Sequence, residues 1–186
     1  MPQGTKKLET KRLYLRPLKP EDAPMMFNNW ANDARVTKYL SWSPDDQVAT
    51  VEKSILSRQK DYDRKDYYHW GIVVKETAEL IGTITVVGKE PSIKSLKIGY
   101  CIGYAWWGKG YTTEALQKVI SYLFDTTDTN RIEATHDPRN SASGKVMKKS
   151  GMTYEGTLRQ AGINNLGICD ENSYSILREE YHREPV

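Results

Sequence analysis

The chain has 186 residues, of which 38% are hydrophobic and 27% are charged, with a formal net charge of +3. This length and apolar content fit one globular domain with a substantial core. The small net charge argues against nucleic acid as a partner, and no apolar run is long enough to span a bilayer. Because no apolar signal region follows the N-terminus, we expect a cytoplasmic protein with no membrane association, in which Cys101 and Cys169 stay reduced.

The first half of the chain predicts one strand, two helices and a hairpin. Pro20-Glu21-Asp22 favours a helix N-terminus, because proline and acidic residues suit the first turn and its dipole. Apolar residues at helical spacing indicate a second helix, and two apolar runs around a polar turn indicate the hairpin. The predicted elements are a strand at 13–15, helices at about 20–30 and 43–64, and hairpin strands at 68–74 and 80–87.

The second half predicts two more helices between strands. Apolar residues recur on one side of 112–124, which indicates an amphipathic helix packed on the core. A further helix starts at Asn140, and Gly151 is predicted as the residue that ends it. The predicted strands are 96–104, 131–135, 152–158 and 172–177. The polar stretch 89–92 is predicted to be a surface loop.

This element order predicts a mixed α/β fold, with helices on both faces of one sheet. The sequence shows neither an internal repeat nor a linker that would divide it. We therefore expect a single domain over 8–182, with flexible termini at 1–7 and 183–186.

The most informative segment is the glycine-containing turn between a predicted strand and the helix at 112–124. Gly108 and Gly110 let the backbone approach a ligand closely, and the helix that follows points its first N–H groups and its positive dipole end at the same place. These features are typical of an anion-binding site, above all for phosphate groups.

Two nucleotide-binding motifs fit this turn poorly. Gly103 to Gly110 follows the nucleotide P-loop pattern G-x-x-x-x-G-K-S/T until its last position, where Gly110 replaces the hydroxyl that holds magnesium. The dinucleotide fingerprint needs a third glycine where Thr113 stands, and it needs an opening βαβ unit. Neither motif therefore explains the turn.

The turn resembles instead the acyl-CoA-binding motif of the GNAT superfamily of N-acetyltransferases, Q/R-x-x-G-x-G/A. Residues 107–112 align with it, with departures at Trp107 and Thr112. Residues 106–115 are more similar to the branch that contains ribosomal-protein N-terminal alanine acetyltransferases. Segments 9–17, 80–84 and 140–156 resemble further motifs of that branch in the same order, so the resemblance runs from the first strand nearly to the last.

The resemblance implies a twisted, mostly antiparallel sheet of about seven strands, with a splayed strand pair where the pantetheine arm of acetyl-CoA lies. It also implies direct acetyl transfer to an amine without a metal. Backbone N–H groups near Cys101 to Gly103 are expected to polarise the thioester. Asn140 is expected to hold the cofactor arm, although a helix N-cap is an alternative role. Ser143 is expected to lie near the sulfur as a general acid or as a donor that stabilises the thiolate. The expected cofactor-binding residues are Cys101, Ile102, Gly103, Trp107, Gly108, Lys109, Gly110, Tyr111, Thr112, Thr113, Asn140, Ser143 and Lys149.

The general base is the missing part of this pattern. Relatives in the branch often carry a glutamate in the strand before the loop or in the late hairpin, but these places hold Lys97 and Gly162. A base must reach its proton directly or through one water. The remaining candidates are Glu114, His136, Asp170 and a water relay. Glu114 alternatively serves the helix dipole, and His136 alternatively ends a strand.

The acceptor is left open between a protein N-terminal α-amino group, which the branch favours, and a small amine such as a polyamine, amino acid or amino sugar. A binding module that senses acyl-CoA without turnover is a third hypothesis, and a homodimer is a further expectation from the branch. Cys101 could serve as the nucleophile of an acyl-enzyme, but direct transfer needs no such nucleophile, and we expect a buried strand cysteine. The acceptor-side candidates are Trp42, Asn164, Asn165 and Asp170.

Overall fold

The computed structural model describes residues 2–181, which form eight strands and five α-helices. The strands are β1 (Leu8–Glu9), β2 (Leu13–Arg16), β3 (His69–Val74), β4 (Leu80–Glu90), β5 (Ser95–Ile102), β6 (Arg131–His136), β7 (Thr153–Asn164) and β8 (Gly167–Leu177). The helices are α1 (Ala23–Met26), α2 (Ala34–Thr37), α3 (Val48–Arg58), α4 (Tyr111–Thr126) and α5 (Ser141–Lys149).

All eight strands form one sheet in the order β1-β2-β3-β4-β5-β6-β8-β7. Every neighbouring pair is antiparallel except β5 and β6, which are parallel and pair only between Ser95–Lys97 and Arg131–Glu133. Beyond this short register the two strands separate, which opens the sheet next to the glycine-containing turn. The predicted splayed pair and mostly antiparallel mixed sheet are confirmed; the sheet has one strand more than the expected seven.

Helices cover both faces of the sheet, as predicted. On one face α4 and α5 pack on a core that contains Trp70, Ile98 and Ile132, and α4 buries the six apolar residues expected of it. On the other face α1 to α3 pack on a second core around Trp30, with Leu80 from the sheet. The split between β5 and β6 therefore lies between two helical layers.

Several element limits differ from the sequence prediction. The helix predicted at 43–64 is α-helical only from Val48 to Arg58 and continues as a 3-10 turn at Gln59–Asp63. The helix predicted from Pro20 is divided into a 3-10 turn, α1 and a π-helical turn at Phe27–Ala31. β5 ends at Ile102, because Tyr104–Trp106 turns into a 3-10 segment.

The late hairpin is longer than predicted, since β7 and β8 pair as far as Asn164 and Gly167 at its tip. β4 likewise runs on to Glu90, so the predicted loop at 89–92 is wrong: it is strand up to that residue, and a 3-10 turn begins at Pro91. β1 and α2 were not predicted.

The segment before β1 makes contacts with the domain. The Thr5 hydroxyl donates to the Tyr67 carbonyl at 2.8 Å, and the Trp70 indole N–H donates to the Lys6 carbonyl at 2.7 Å. The domain limits and the flexibility of 1–7 stay predictions, and 183–186 lies outside the described residues. Within residues 2–181, no helix combines the length and the hydrophobicity that a membrane crossing requires.

Candidate active site

The glycine-containing turn presents backbone donors at the start of α4. Gly108 and Gly110 have φ values of +73° and +79°, which lie in the left-handed region that favours glycine. The first intrahelical bond runs from Glu114 N to Gly110 O at 3.1 Å, so the N–H groups of the three residues between them have no intrahelical acceptor. Because α4 has 16 residues, its dipole adds to the attraction for an anion at this end.

One carboxylate ties the start of α4 to the turn between β1 and β2. Glu114 accepts hydrogen bonds from Thr10 Oγ1 at 2.6 Å, Arg12 N at 2.8 Å and Arg12 Nε at 2.7 Å, and Arg12 Nη1 donates to Lys109 O at 2.9 Å. Burial acts to raise the pKa of Glu114, but these hydrogen bonds outweigh it and hold the pKa below its usual value. The geometry therefore indicates that Glu114 positions the turn rather than serving as a base.

A cavity of about 290 Å³ extends from the turn into the split between β5 and β6. Its wall includes residues from α2 on one side of the sheet and from α5 on the other, so it connects the two faces. Ten of the expected cofactor-binding residues line it: Cys101, Ile102, Trp107, Gly108, Gly110, Thr112, Thr113, Asn140, Ser143 and Lys149.

The other three expected residues have different surroundings. A Cβ atom on Gly103 would lie 2.4 Å from the Asn29 carbonyl oxygen, so this glycine allows the π-helical turn to approach β5. The Tyr111 ring stacks under the Arg12 guanidinium, with 4.5 Å between the guanidinium carbon and the ring centroid. Lys109 contributes its carbonyl to Arg12. All three support the shape of the turn from outside the cavity.

The edge of β5 that faces the split carries unpaired backbone donors. Gly103 N donates to Ile81 O at 2.8 Å, and β4 and β5 keep one register through this region. Since hydrogen-bonded and non-hydrogen-bonded pairs alternate along an antiparallel ladder, Cys101 and Gly103 direct their N–H groups toward β4. Tyr100 and Ile102 direct theirs into the split. Of the stretch expected to polarise the thioester, Ile102 is thus the residue whose N–H faces the cavity.

The start of α5 brings Asn140 and Ser143 to the same cavity. Asn140 occupies the N-cap position, yet its side chain makes no capping hydrogen bond, so its amide is directed to the cavity rather than to the helix. The Tyr100 hydroxyl lies 3.0 Å from Ser143 Oγ and 3.1 Å from the Ser143 carbonyl oxygen, so its single proton can go to either acceptor. Burial raises the pKa of Tyr100, so this hydroxyl stays protonated and can donate to Ser143.

Two further candidate bases are held by other contacts. His136 places Nδ1 2.8 Å from the Asp137 carbonyl oxygen, and its Nε2 lies against Gly144 of α5 instead of lining the cavity. Asp170 Oδ1 accepts from Gln160 N at 2.8 Å in the irregular part of the β7–β8 pairing. Burial raises the pKa of the Cys101 thiol, whose sulfur lies 3.4 Å from Thr83 Oγ1, so it is a poor nucleophile.

Sequence reasoning missed one carboxylate on the side of the sheet that carries α1 to α3. Glu171 of β8 contacts both positions that hold a glutamate in relatives: Lys97 Nζ is 3.8 Å from its Oε2, and a Cβ atom on Gly162 would lie 2.8 Å from its Cγ. Its Oε1 accepts from Thr135 Oγ1 at 3.2 Å. The only signal in the sequence was its place beside Asp170.

Sequence reasoning also missed part of the cavity wall. Val36, Tyr39 and Leu40 come from α2 and the turn after it, and α2 is too short to show a helical pattern. Lys145 and Val146 follow Ser143 on α5. The available signal for α2 was Asp33, a residue type common at helix N-caps, whose side chain accepts from Arg35 N at 2.9 Å.

The tip of the late hairpin is bound to the segment after α2. Asn165 donates through Nδ2 to the carbonyl oxygens of Thr37 and Trp42, both at 2.8 Å, and through its backbone N–H to Leu40 at 3.1 Å. Asn164 donates to Asp137 Oδ2 at 2.8 Å. Of the acceptor-side candidates, Asn165 and Trp42 therefore join the hairpin tip to the end of α2 and the segment after it, Asn164 joins the tip to Asp137, and none of the three lines the cavity.

Fold and site together define a protein with backbone N–H groups lacking intrahelical acceptors at a strand-to-helix turn, beside a cavity that enters a split sheet. Residues 12–153 match the family model described as an acetyltransferase (GNAT) domain. The N-acetyltransferase p20 of Bacillus licheniformis, itself uncharacterised, is 35% identical over 179 residues, covering 94% of this chain and 97% of that protein.

More distant similarities involve ribosomal-protein acetyltransferases. The ribosomal protein uS5-alanine N-acetyltransferase of Escherichia coli is 27% identical, covering 81% of this chain and 79% of that protein. The solved structure of the ribosomal α-N-protein acetyltransferase RimL in complex with coenzyme A has a TM-score of 0.82 at 22% identity, covering 92% of this chain and 98% of that one. The chain belongs to the GNAT family and is an N-acetyltransferase.

Proposed function

We propose that the protein transfers an acetyl group from acetyl-CoA to the α-amino group at the N-terminus of a protein. The acetyl-CoA donor is supported above all by the glycine cradle at the start of α4, where the left-handed Gly108 and Gly110 line one cavity together with Thr112 and Thr113, whose N–H groups have no intrahelical acceptor. Lys145 and Lys149 add positive charge at its wall. This set of donors suits a pyrophosphate and needs no metal ion. Among the described residues, no group of three or more His, Cys, Asp and Glu side chains is arranged to hold a metal ion.

Bound acetyl-CoA supplies the acetyl thioester, and the chain supplies the donors around it. The Ile102 N–H is directed to the thioester oxygen, where a fixed donor stabilises the charge that develops during attack. Asn140 holds the pantetheine arm through its free amide. Ser143 delivers a proton to the departing sulfur, and the Tyr100 hydroxyl at 3.0 Å orients it.

The charges near the acceptor side favour a peptide over a polycationic amine. A polyamine or an amino sugar with several ammonium groups needs several free carboxylates. Here Asp137 is paired with Arg139 at 2.6 Å and Asp33 with Arg35 at 2.7 Å, so neither carboxylate is available. The relatives named above as acting on ribosomal proteins support the same choice.

The test is thiol release from acetyl-CoA with a panel of amines. Short peptides with a free N-terminal alanine or serine are compared with the same peptides blocked at the N-terminus, and with spermidine, free amino acids and glucosamine. We expect release and a singly acetylated product only with the free N-terminal peptides. Release with the blocked peptides or with a small amine instead would refute the proposed acceptor.

A non-catalytic acyl-CoA sensor is the second candidate function, because the usual positions of the base hold Lys97 and Gly162. The same panel decides between the two, since a sensor would bind acetyl-CoA in a calorimetric titration and release no thiol with any amine. The Glu171 carboxylate beside both positions favours the enzyme.

A further inference from the structure

We propose that Glu171 of β8 is the general base of the acetyl transfer. This inference rests on the proposed function, because it concerns the amine that the enzyme acetylates. Glu171 stands at neither of the two places where the family resemblance locates a glutamate. The structure nevertheless brings its carboxylate to both.

The first of these places is Gly162 on β7. A Cβ atom built there would lie 2.8 Å from Glu171 Cγ and 2.9 Å from its Oε1, so the Glu171 side chain occupies the space that a side chain at 162 would need. In the ladder Glu171 pairs with Leu158 and Gly162 pairs with Cys169, and the irregular stretch between these two pairs brings the Glu171 side chain against the glycine. Gly162 thus leaves room for a carboxylate supplied by the opposite strand.

The second place is Lys97 on β5. Its Nζ lies 3.8 Å from Glu171 Oε2, while Thr135 of β6 donates to Oε1 at 3.2 Å. The Glu171 side chain is 24% exposed, so the carboxylate is reachable from solvent and is not sealed into the core. The lysine and the threonine hold it over the split between β5 and β6, where a glutamate at 97 would also point.

Glu171 lies on the acceptor side of the sheet, outside the wall of the cavity. Side chains four residues apart on a strand share a face, so Lys97 and Cys101 point the same way, and Cys101 packs on the core under α1 to α3. The register of Lys97 with Glu133 sets Thr135 level with Gly99, two residues before Cys101. Gly99 and Cys101 are roughly 7 Å apart along the strand, a distance that an amine and one water can span.

The proton transfers balance around this carboxylate. Glu171 takes one proton from the acceptor ammonium, directly or through a water, and passes it to solvent. The neutral nitrogen forms a bond to the thioester carbon as the carbon–sulfur bond breaks. The second nitrogen proton leaves as the amide forms, and the sulfur gains one through Ser143. The net products are the amide, the free thiol and one proton.

The test compares Glu171→Gln with Glu133→Gln. Glu133 lies on the same face and pairs with Arg131 at 3.3 Å, which keeps Glu155 as a second partner, so its loss leaves the fold intact. We expect Glu171→Gln to lower kcat at least about 100-fold with acetyl-CoA binding unchanged. Glu133→Gln keeps wild-type rates.

A relocation variant separates catalysis from structural damage. Glu171→Ala opens the space beside Gly162, whose φ lies outside the left-handed region, so Gly162→Glu in the same chain brings a carboxylate from the opposite strand. We expect the double variant to recover at least tenfold in kcat over Glu171→Ala. Titratable groups that face the site are Lys97 and Cys169, and both are unchanged in these variants.

The outcomes distinguish this inference from the proposed function. Wild-type release with N-terminal peptides, together with equal rates in Glu171→Gln, would overturn the role of Glu171 and leave the proposed function standing. A wild type without release on any amine would overturn both. Loss in Glu171→Gln without recovery in the double variant would mean that Glu171 has only a structural role.

Discussion

A substitution at Gly110 tests most sharply whether the glycine cradle binds acetyl-CoA. It is the N-cap residue of α4, with φ +79° and ψ +2°, and it lines the cavity. Replacing it with alanine adds one methyl group and disfavours the left-handed backbone that aims the first N–H groups of the helix. We expect Gly110→Ala to weaken acetyl-CoA binding much more than it weakens the fold.

The cost to stability is set by the backbone. A residue other than glycine in the left-handed region costs about 1–2 kcal/mol. The added Cβ would lie 3.4 Å from Arg12 Nη2, which is the far end of a flexible side chain and can move. At about 2–4 °C per kcal/mol for a chain of this length, the melting temperature falls by about 2–8 °C.

The cost to binding is larger, because the turn relaxes toward a conformation that misdirects its donors. A hydrogen bond to a charged group is worth about 1.5–3 kcal/mol. Losing one such bond to a phosphate raises the Kd for acetyl-CoA about 10- to 150-fold, since about 1.4 kcal/mol corresponds to a factor of ten.

The matched control is Gly151→Ala, because Gly151 has φ +86° at the end of α5 and does not line the cavity. Calorimetric titration with acetyl-CoA and thermal melts are measured on both variants. Both should melt at lower temperature, and only Gly110→Ala should lose affinity. An unchanged Kd in Gly110→Ala, or an equal loss of affinity in Gly151→Ala, would refute the claim that the glycine cradle binds acetyl-CoA.

Three further variants test other parts of the site. Glu114→Ala removes three hydrogen bonds and should cost about 2–4 kcal/mol in denaturant melts at pH 7. Because the folded pKa of Glu114 is lowered, its contribution is present above the usual glutamate pKa and is lost as pH falls through the folded value, so the difference from wild type should shrink in acid. Ser143→Ala should lower kcat at least about tenfold in thiol-release assays with the KM for acetyl-CoA nearly unchanged. Asn165→Ala removes two side-chain bonds to the segment after α2, so steady-state kinetics should show a raised KM for the acceptor only. An equal change in both KM values would contradict that role.

The parts of the fold that the sequence predicts are those with a strong local pattern. α4 follows from apolar residues that repeat at helical spacing over 112–124, and the turn before it follows from two glycines beside an apolar strand. Both features are set by neighbours close in the chain. The splayed sheet came from the resemblance, which joined motifs that are far apart in sequence.

The parts that were missed depend on contacts between distant segments. α2 has four residues, fewer than any periodic pattern needs, and Asn165 of the late hairpin binds the carbonyl of Thr37 at its end. β7 extends to Asn164 although most of its side chains are exposed, because its length is fixed by pairing with β8.

The relation between Glu171 and Gly162 could not be read from the sequence either. It depends on an irregular register between two strands, and a shift of one residue would turn the carboxylate to the other face. The resemblance identified where a base was missing, and only the structure brought a carboxylate to that place.

Hydrogen exchange with and without saturating acetyl-CoA tests the central claim most directly, because it locates the ligand along the chain. The proposed function predicts slower exchange in peptides that cover the end of β5, the glycine-containing turn and the start of α4, 100–115, and in the peptide that covers α5, 140–149. Protection confined to other segments, or no protection at a concentration that saturates binding, would contradict it.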